Sequence, residues 1–487
     1  MPENTQDQGG RWLSPVIYLS NNWISLAGVV IVTTATVFWL FLLPTTIKAA
    51  VSSPYIGILA YMGIPTFFFL GLLLIPLGME IQRRKQKRAG LYPAGFPPLN
   101  WHNRELRKLV YFIAATTFAN LIIASQVSYA AVNYMDSVGF CGQTCHTVMQ
   151  PEYTAFQNSP HSRLECVNCH IGPGASWFVR SKLSGVGQVF AVTFNTYPRP
   201  IPTPVQNLRP ARETCEQCHW PEMYSHDRIR VIPSYADDQT NTLTKTVLLL
   251  KIGTGNSGIG IHGTHVGPDV RIYYTPADES RQTITRVEYN GPKGKAVYTA
   301  SDPPKGGKSL PPRLMDCMDC HNRPAHTFRM PDPAVNSAMD AGEIAADLPF
   351  AKKESLALLK AKYATSDQAA RAIPAGFENF YRQSYPAIYA QKQSEIEASA
   401  RGVLGVFNRN VFPEMNVTWG DYPNDLGHTD FPGCFRCHDG SHTSAGGNTI
   451  TQDCTACHNI LAMDEANPKI LTELGITGSQ ASKDAGQ

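Results

Sequence analysis

Residues 166–170 read Cys-Val-Asn-Cys-His, and the same pattern returns at Cys215–His219, Cys317–His321, Cys434–His438 and Cys454–His458. Within these stretches the second cysteines are Cys169, Cys218, Cys320, Cys437 and Cys457, each followed directly by a histidine, the first of them His170. A sixth version, Cys141-Gly-Gln-Thr-Cys145-His146, holds one extra residue between its cysteines. The six motifs use all 12 cysteines of the chain. Two thiols on one turn add to the two vinyl groups of a porphyrin, and the next imidazole meets the iron. Zinc sites need two cooperating Cys pairs, and neither zinc sites nor disulfides demand a histidine after the second cysteine. The pattern therefore implies a multihaem c-type cytochrome with six covalent haems. At Cys141/Cys145 the longer turn leaves single-thioether attachment or a structural pair open, while Met149 just beyond supplies a second kind of iron ligand.

The chain has 487 residues, enough for more than one domain, and a net charge of +3. That near balance gives no reason to expect a nucleic-acid partner. Hydrophobic residues make up 43% of the chain, concentrated in three runs in its first third. The polar remainder does not imply disorder, because haems supply apolar core that side chains lack.

The runs are Trp23–Leu43, Tyr55–Met79 and Leu109–Val132, each long enough to cross about 30 Å of hydrocarbon as a helix. Between the second and third lie Arg83, Arg84, Lys85, Lys87 and Arg88, then Arg104, Arg107 and Lys108. This charge belongs on the cytoplasmic side. Three spans then put the N-terminus in the cytoplasm and all six motifs on the periplasmic face of a bacterial inner membrane. The first run is too long, and its start too poor in basic residues, for a cleaved signal peptide. Pro65 and Pro76 are expected to kink the second helix.

The expected organisation is residues 1–108 as two transmembrane helices with a basic loop, and 109–220 as a third helix with haem motifs one to three. A β-rich insertion follows over 221–310, then a C-terminal haem region over 311–463 and a tail over 464–487. Ile171–Pro204 mixes apolar residues with Trp177, Arg180 and Lys182, as an interfacial segment does. Thr246–Ile252, Val270–Thr275 and Thr283–Tyr289 read as antiparallel strands. Ala341–Val406 reads as helix. The fold class is a membrane-anchored, mostly α or irregular haem domain with a small antiparallel β insertion.

Of the 14 histidines, six close motifs and His102 falls in the cytoplasmic loop. The other seven, His161, His226, His262, His265, His326, His428 and His442, all lie in the haem-bearing region. Polar-loop histidines are ordinarily surface residues, but six irons each need a second axial ligand. The expected distal ligands are His161, His226, His326, His428 and His442, with one more shared between His262 and His265. The motif histidines His146, His170, His219, His321, His438 and His458 are the proximal ligands.

The run ending near Val132, Phe140–Met149, Ser159-Pro-His161 and Cys166–Ile171 together resemble the NapC/NirT family of membrane-anchored quinol dehydrogenases. The resemblance covers about residues 109–220. It implies quinol oxidation at the membrane surface and electron delivery through haems to periplasmic cytochromes or reductases. It also implies that Met149, one place further from the motif histidine than usual, ligates the first haem in place of His146. Lys182 fits the family's quinol-binding lysine. The family's acidic partner is not matched, and Gln188 is the nearest polar residue. The first two helices, the strand-rich insertion and motifs four to six exceed the usual four-haem member, so the chain looks like a larger relative.

Two other functions compete: a haem-bearing wire in a larger respiratory complex, without its own quinone site, and a multihaem terminal reductase. The reductase needs a vacant iron face and typically a lysine in place of one motif histidine, whereas all six motifs end in histidine. Intact mass spectrometry should find the polypeptide plus six haems. Five would mean that the Cys141/Cys145 site is unoccupied.

Overall fold

The computed structural model describes residues 13–20, 22–48, 62–92, parts of 111–144, 146–205, 208–220, 226–253, 260–302 and 310–476. They form two compact units, divided after Thr144.

In the first unit, helix α1 (Leu13–Ser20) precedes α2 (Trp23–Lys48) and α3 (Ile64–Arg88), and both α1 and α2 pack on α3. Small residues let the backbones of α2 and α3 approach. A Cβ on Gly28 would lie 2.7 Å from the Gly71 carbonyl oxygen, and one on Gly71 would lie 2.9 Å from that of Gly28. The Ser25 hydroxyl donates to the Ile75 carbonyl at 2.9 Å. Such small-residue contacts hold helices together where no hydrophobic effect separates lipid from leucine. Away from this contact α3 exposes Phe69, Leu70, Leu73 and Leu77, as a lipid-facing surface would.

Among the described residues, α3 alone is long and apolar enough to span a membrane, and Trp23–Thr36 forms a shorter apolar stretch. Three full spans were expected, and most of Leu109–Val132 lies outside the described residues. The start of Tyr55–Met79 does too, and α3 continues past that run through the basic cluster, because Glu80, Gln82, Arg83, Arg84 and Lys85 are themselves good helix formers. Pro65 sits in the first turn, where its missing N–H costs nothing, so only Pro76 interrupts the ladder.

The second unit opens with α4 (His146–Gln157), α5 (Cys166–His170), α6 (Ala175–Thr193) and α7 (Ala211–Cys215). Two antiparallel sheets follow. One orders β1 (Arg228–Tyr235), β2 (Leu243–Leu250) and β8 (His458–Glu465). The other runs β6 (Arg313–Leu314), β3 (Arg271–Pro276), β4 (Ile284–Gly291), β5 (Gly294–Ala300) and β7 (His442–Ser444). The short helix α8 (Ile261–Val266) packs on β3.

The three expected strands are present as β2, β3 and β4, but the β region is larger than a closed insertion. β6, β7 and β8 arrive from the segment after it. Two of them escape a search for alternating apolar runs: β7 has three residues, and β8 begins on the histidine of a haem motif.

Between motifs four and five, helices α9 (Pro331–Asp340), α10 (Ala351–Lys360), α11 (Ser366–Ser384) and α12 (Pro386–Asn410) enclose a core of their own. Val335, Leu348, Leu359, Ile373, Phe377 and Ile396 are fully buried there. The Thr365 hydroxyl caps α11 by accepting from the Gln368 N–H at 3.1 Å. Helix was expected over Ala341–Val406, and it extends to Pro331 and Asn410. Residues 331–410 contain neither cysteine nor histidine, so this core is built from side chains alone. Phe377→Ala should cost about 3–5 kcal/mol in chemical denaturation, while the haem content of the protein that remains folded stays unchanged.

Candidate functional site

Each motif in the second unit folds as one tight turn, and in three of them the histidine N–H donates to the carbonyl of the first cysteine: His219 to Cys215, His321 to Cys317 and His438 to Cys434. Asp side chains fix two of these turns. Asp316 accepts from the Met318 N–H, and Asp453 accepts from the Thr455 N–H.

Opposite five motif histidines stands a second imidazole. Ring centroids are 6.1 Å apart for His170 and His326, 5.8 Å for His219 and His161, and 6.2 Å for His321 and His262. They are 5.8 Å apart for His438 and His265, and 6.2 Å for His458 and His428. A metal–nitrogen bond of about 2 Å on each side, plus the two rings, spans about 6 Å. The gaps therefore fit an iron held between two imidazoles.

The remaining ring nitrogens point the same way. Nδ1 of His161 donates to the Pro324 carbonyl at 3.2 Å, Nδ1 of His326 to Glu152 at 2.9 Å, and Nδ1 of His265 to Ile261 at 2.8 Å. Nδ1 of His438 donates to Thr451 at 2.6 Å. A carbonyl only accepts, so these bonds put the proton on Nδ1 and leave Nε2 bare for a metal. Burial pushes the pKa of His170 down, and the facing His326 adds to this. Burial followed by a neighbouring imidazole does the same for His219, His262 and His321. His265 is lowered by burial although its Ile261 hydrogen bond opposes the shift. Neutral imidazole is the form that ligates. A buried donor also lacks a protein acceptor: Nη2 of Arg323, whose guanidinium lies 4.1 Å over the Tyr422 ring and donates through Nη1 to Glu152 at 3.1 Å. A haem propionate is an acceptor of the kind this donor requires.

Two expected distal ligands face none of the five described motif imidazoles. His442 is 1% exposed, with Nδ1 2.9 Å from Asp439 Oδ1 and Nε2 3.1 Å from the Ile284 carbonyl. Both nitrogens are engaged, so the ligand role expected for His442 is corrected to that of a buried bridge between β7 and β4. Burial alone would raise the Asp439 carboxyl, but hydrogen bonds from Ser441 and His442 outweigh it and hold the group at about 2. His226 is exposed at the entry to β1, and the five described motif imidazoles face other partners. His262 and His265 were expected to supply one ligand between them, and instead each meets a different motif histidine. Proximity in sequence to a motif suggested His226 and His442 as it did His161, His326 and His428, and of these five the last three face a described motif imidazole, each that of a different motif from its neighbour in sequence.

Cys145, and the side chains of His146 and Lys182, lie outside the described residues. Met149 is half-buried on α4, and Gln188 is exposed on α6. Helix α6 presents Val179, Leu183, Phe190 and Phe194 to the outside along one face, with Arg180 over the Trp177 ring at 5.3 Å.

The family described as "NapC/NirT cytochrome c family, N-terminal region" matches residues 103–200. The chain is 38% identical over 456 residues to the cytochrome c-type protein ImcH of Geobacter sulfurreducens, covering 92% of this chain and 89% of that protein. It is 31% identical over 114 residues to the cytochrome c-type protein NrfH of Wolinella succinogenes, covering 23% of this chain and 62% of that one. No solved structure matches. His326→Met should raise the midpoint potential of one haem, because Met/His ligation lies above bis-histidine. His442→Met should leave every potential in place and lower the unfolding midpoint instead, as read by potentiometric and denaturant titrations.

Proposed function

Because the chain belongs to the NapC/NirT family of membrane-anchored c-type cytochromes, an electron-transfer family, we propose that it oxidises quinol at the membrane surface. It passes the electrons through six haems to periplasmic redox partners. The observation that carries this reading is the set of five facing imidazole pairs. An iron held on both faces has no open position for a substrate, so these sites carry electrons and do not reduce nitrite or hydroxylamine. Haem supplies reversible one-electron acceptance, and the protein sets potential through ligand, burial and hydrogen bonding.

Each quinol releases two electrons and two protons on becoming quinone. In the proposed site Lys182 hydrogen-bonds a quinol oxygen and stabilises the negative charge left as a proton departs, with Gln188 as a further polar contact. Both lie on α6, whose exposed apolar face, flanked by Trp177 and Arg180, suits the level of lipid headgroups. Met149 would ligate the first haem, next in line to receive the electrons. The N-terminus is cytoplasmic in this reading, and the haem unit is periplasmic in the inner membrane.

The α2–α3 hairpin, which the matched family region does not include, favours a second reading: a haem-wire subunit whose partner handles quinone. Lys182→Leu separates the two. In the quinol dehydrogenase it should slow haem reduction by quinol at least tenfold and leave reduction by dithionite intact. An unchanged quinol rate in stopped-flow absorbance removes Lys182 from the site, and failure of quinol to reduce the haems of the unsubstituted protein favours the wire.

A further inference from the structure

Resting on the haem reading above, we propose that the haems of motifs two to six form an ordered row in the sequence of their motifs. Helix α8 is the joint that ligates both the fourth and the fifth, and the Cys454–His458 site is the far end of the row. Contacts between the chain's own residues link each motif to the next.

The second and third motifs are joined because α5 packs against α7. His161, which faces His219, is held by the carbonyl of Pro324, two residues before His326, which faces His170. The third and fourth are joined because α7 also packs against the 3₁₀ turn Cys317–Asp319. Since His326 follows the fourth motif by only five residues, the row bends around the third haem.

The fourth and fifth meet at α8. His262 and His265 lie three residues apart on one turn, where side chains project from the same side of a helix. One faces His321 and the other His438. The Arg436 guanidinium inside the fifth motif reaches back to the Asp319 carbonyl of the fourth. The fifth and sixth meet through Phe435, which sits between Cys434 and Cys437 and stacks on His428 with centroids 4.2 Å apart and planes at 16°. His428 in turn faces His458.

A six-residue helix carrying ligands for two irons makes a sharp test. In the purified full-length protein, His262→Ala and His265→Ala should each turn one low-spin haem high-spin by electron paramagnetic resonance, and the double variant should turn two. A double variant with only one high-spin haem, or a single variant with none, overturns the joint. Should alanine prevent assembly, His262→Met and His265→Met retain a ligand, and each should shift one midpoint potential upward.

The order is read by double-mutant cycles on those potentials. An electron on one haem repels the next most strongly at the nearest neighbour. The shifts of His265→Met and His458→Met should therefore be non-additive, and those of His262→Met and His458→Met close to additive. Coupling as strong for the His262 pair as for the His265 pair overturns the row. Every titration uses a chemical reductant, so a protein unable to oxidise quinol would give the same results.

Discussion

The second unit holds two imidazoles about 6 Å apart, five times over. Each motif provides one ring on a tight turn, and the opposing ring comes from another segment. The distal ring is therefore a tertiary contact, and the carbonyls that orient it are tertiary contacts too: Pro324 for His161 and Glu152 for His326. His265 takes its orienting carbonyl from its own helical turn.

The scaffold meets that demand with a buried polar frame. Asp319, inside the fourth motif, accepts from the Tyr274 hydroxyl at 2.6 Å and from Arg313 Nε at 3.1 Å, tying the motif to β3 and β6. Arg436, inside the fifth, pairs with Asp425 at 3.0 Å, both largely buried. Buried ion pairs add little net stability because desolvation offsets their attraction, but they penalise any geometry that separates them. Placing them in the haem turns fixes how neighbouring motifs sit. The helical core over 331–410 works differently, since it buries apolar side chains in a stretch that has neither cysteine nor histidine.

The first unit solves another problem. Gly28 and Gly71 bring two helices into backbone contact, and the apolar residues of α3 on the other side are left for lipid. Glu80 pairs with Arg83 and Arg84 on the last turns of α3, where exposed ion pairs contribute little.

The haem chemistry was written in the sequence because Cys-x-x-Cys-His is local: five consecutive residues on one turn present both thiols and the proximal imidazole. Family membership was legible from residues 140–171 for the same reason, as were the core strands β2, β3 and β4 and the helical stretch between motifs four and five, whose periodicities are local signals. The distal ligands were not local. His161, His326 and His428 could be proposed from a count of irons, but nothing near them in sequence says which motif each faces. His442 looked equally suitable until its two hydrogen bonds engaged both nitrogens. That His262 and His265 meet separate motif histidines, and that β6, β7 and β8 complete sheets begun in an earlier segment, depends on residues distant in the chain converging in space. Covalent attachment is thus determined by sequence. Axial pairing is decided by tertiary structure, because a metal's second face accepts whichever imidazole the fold delivers with one nitrogen free.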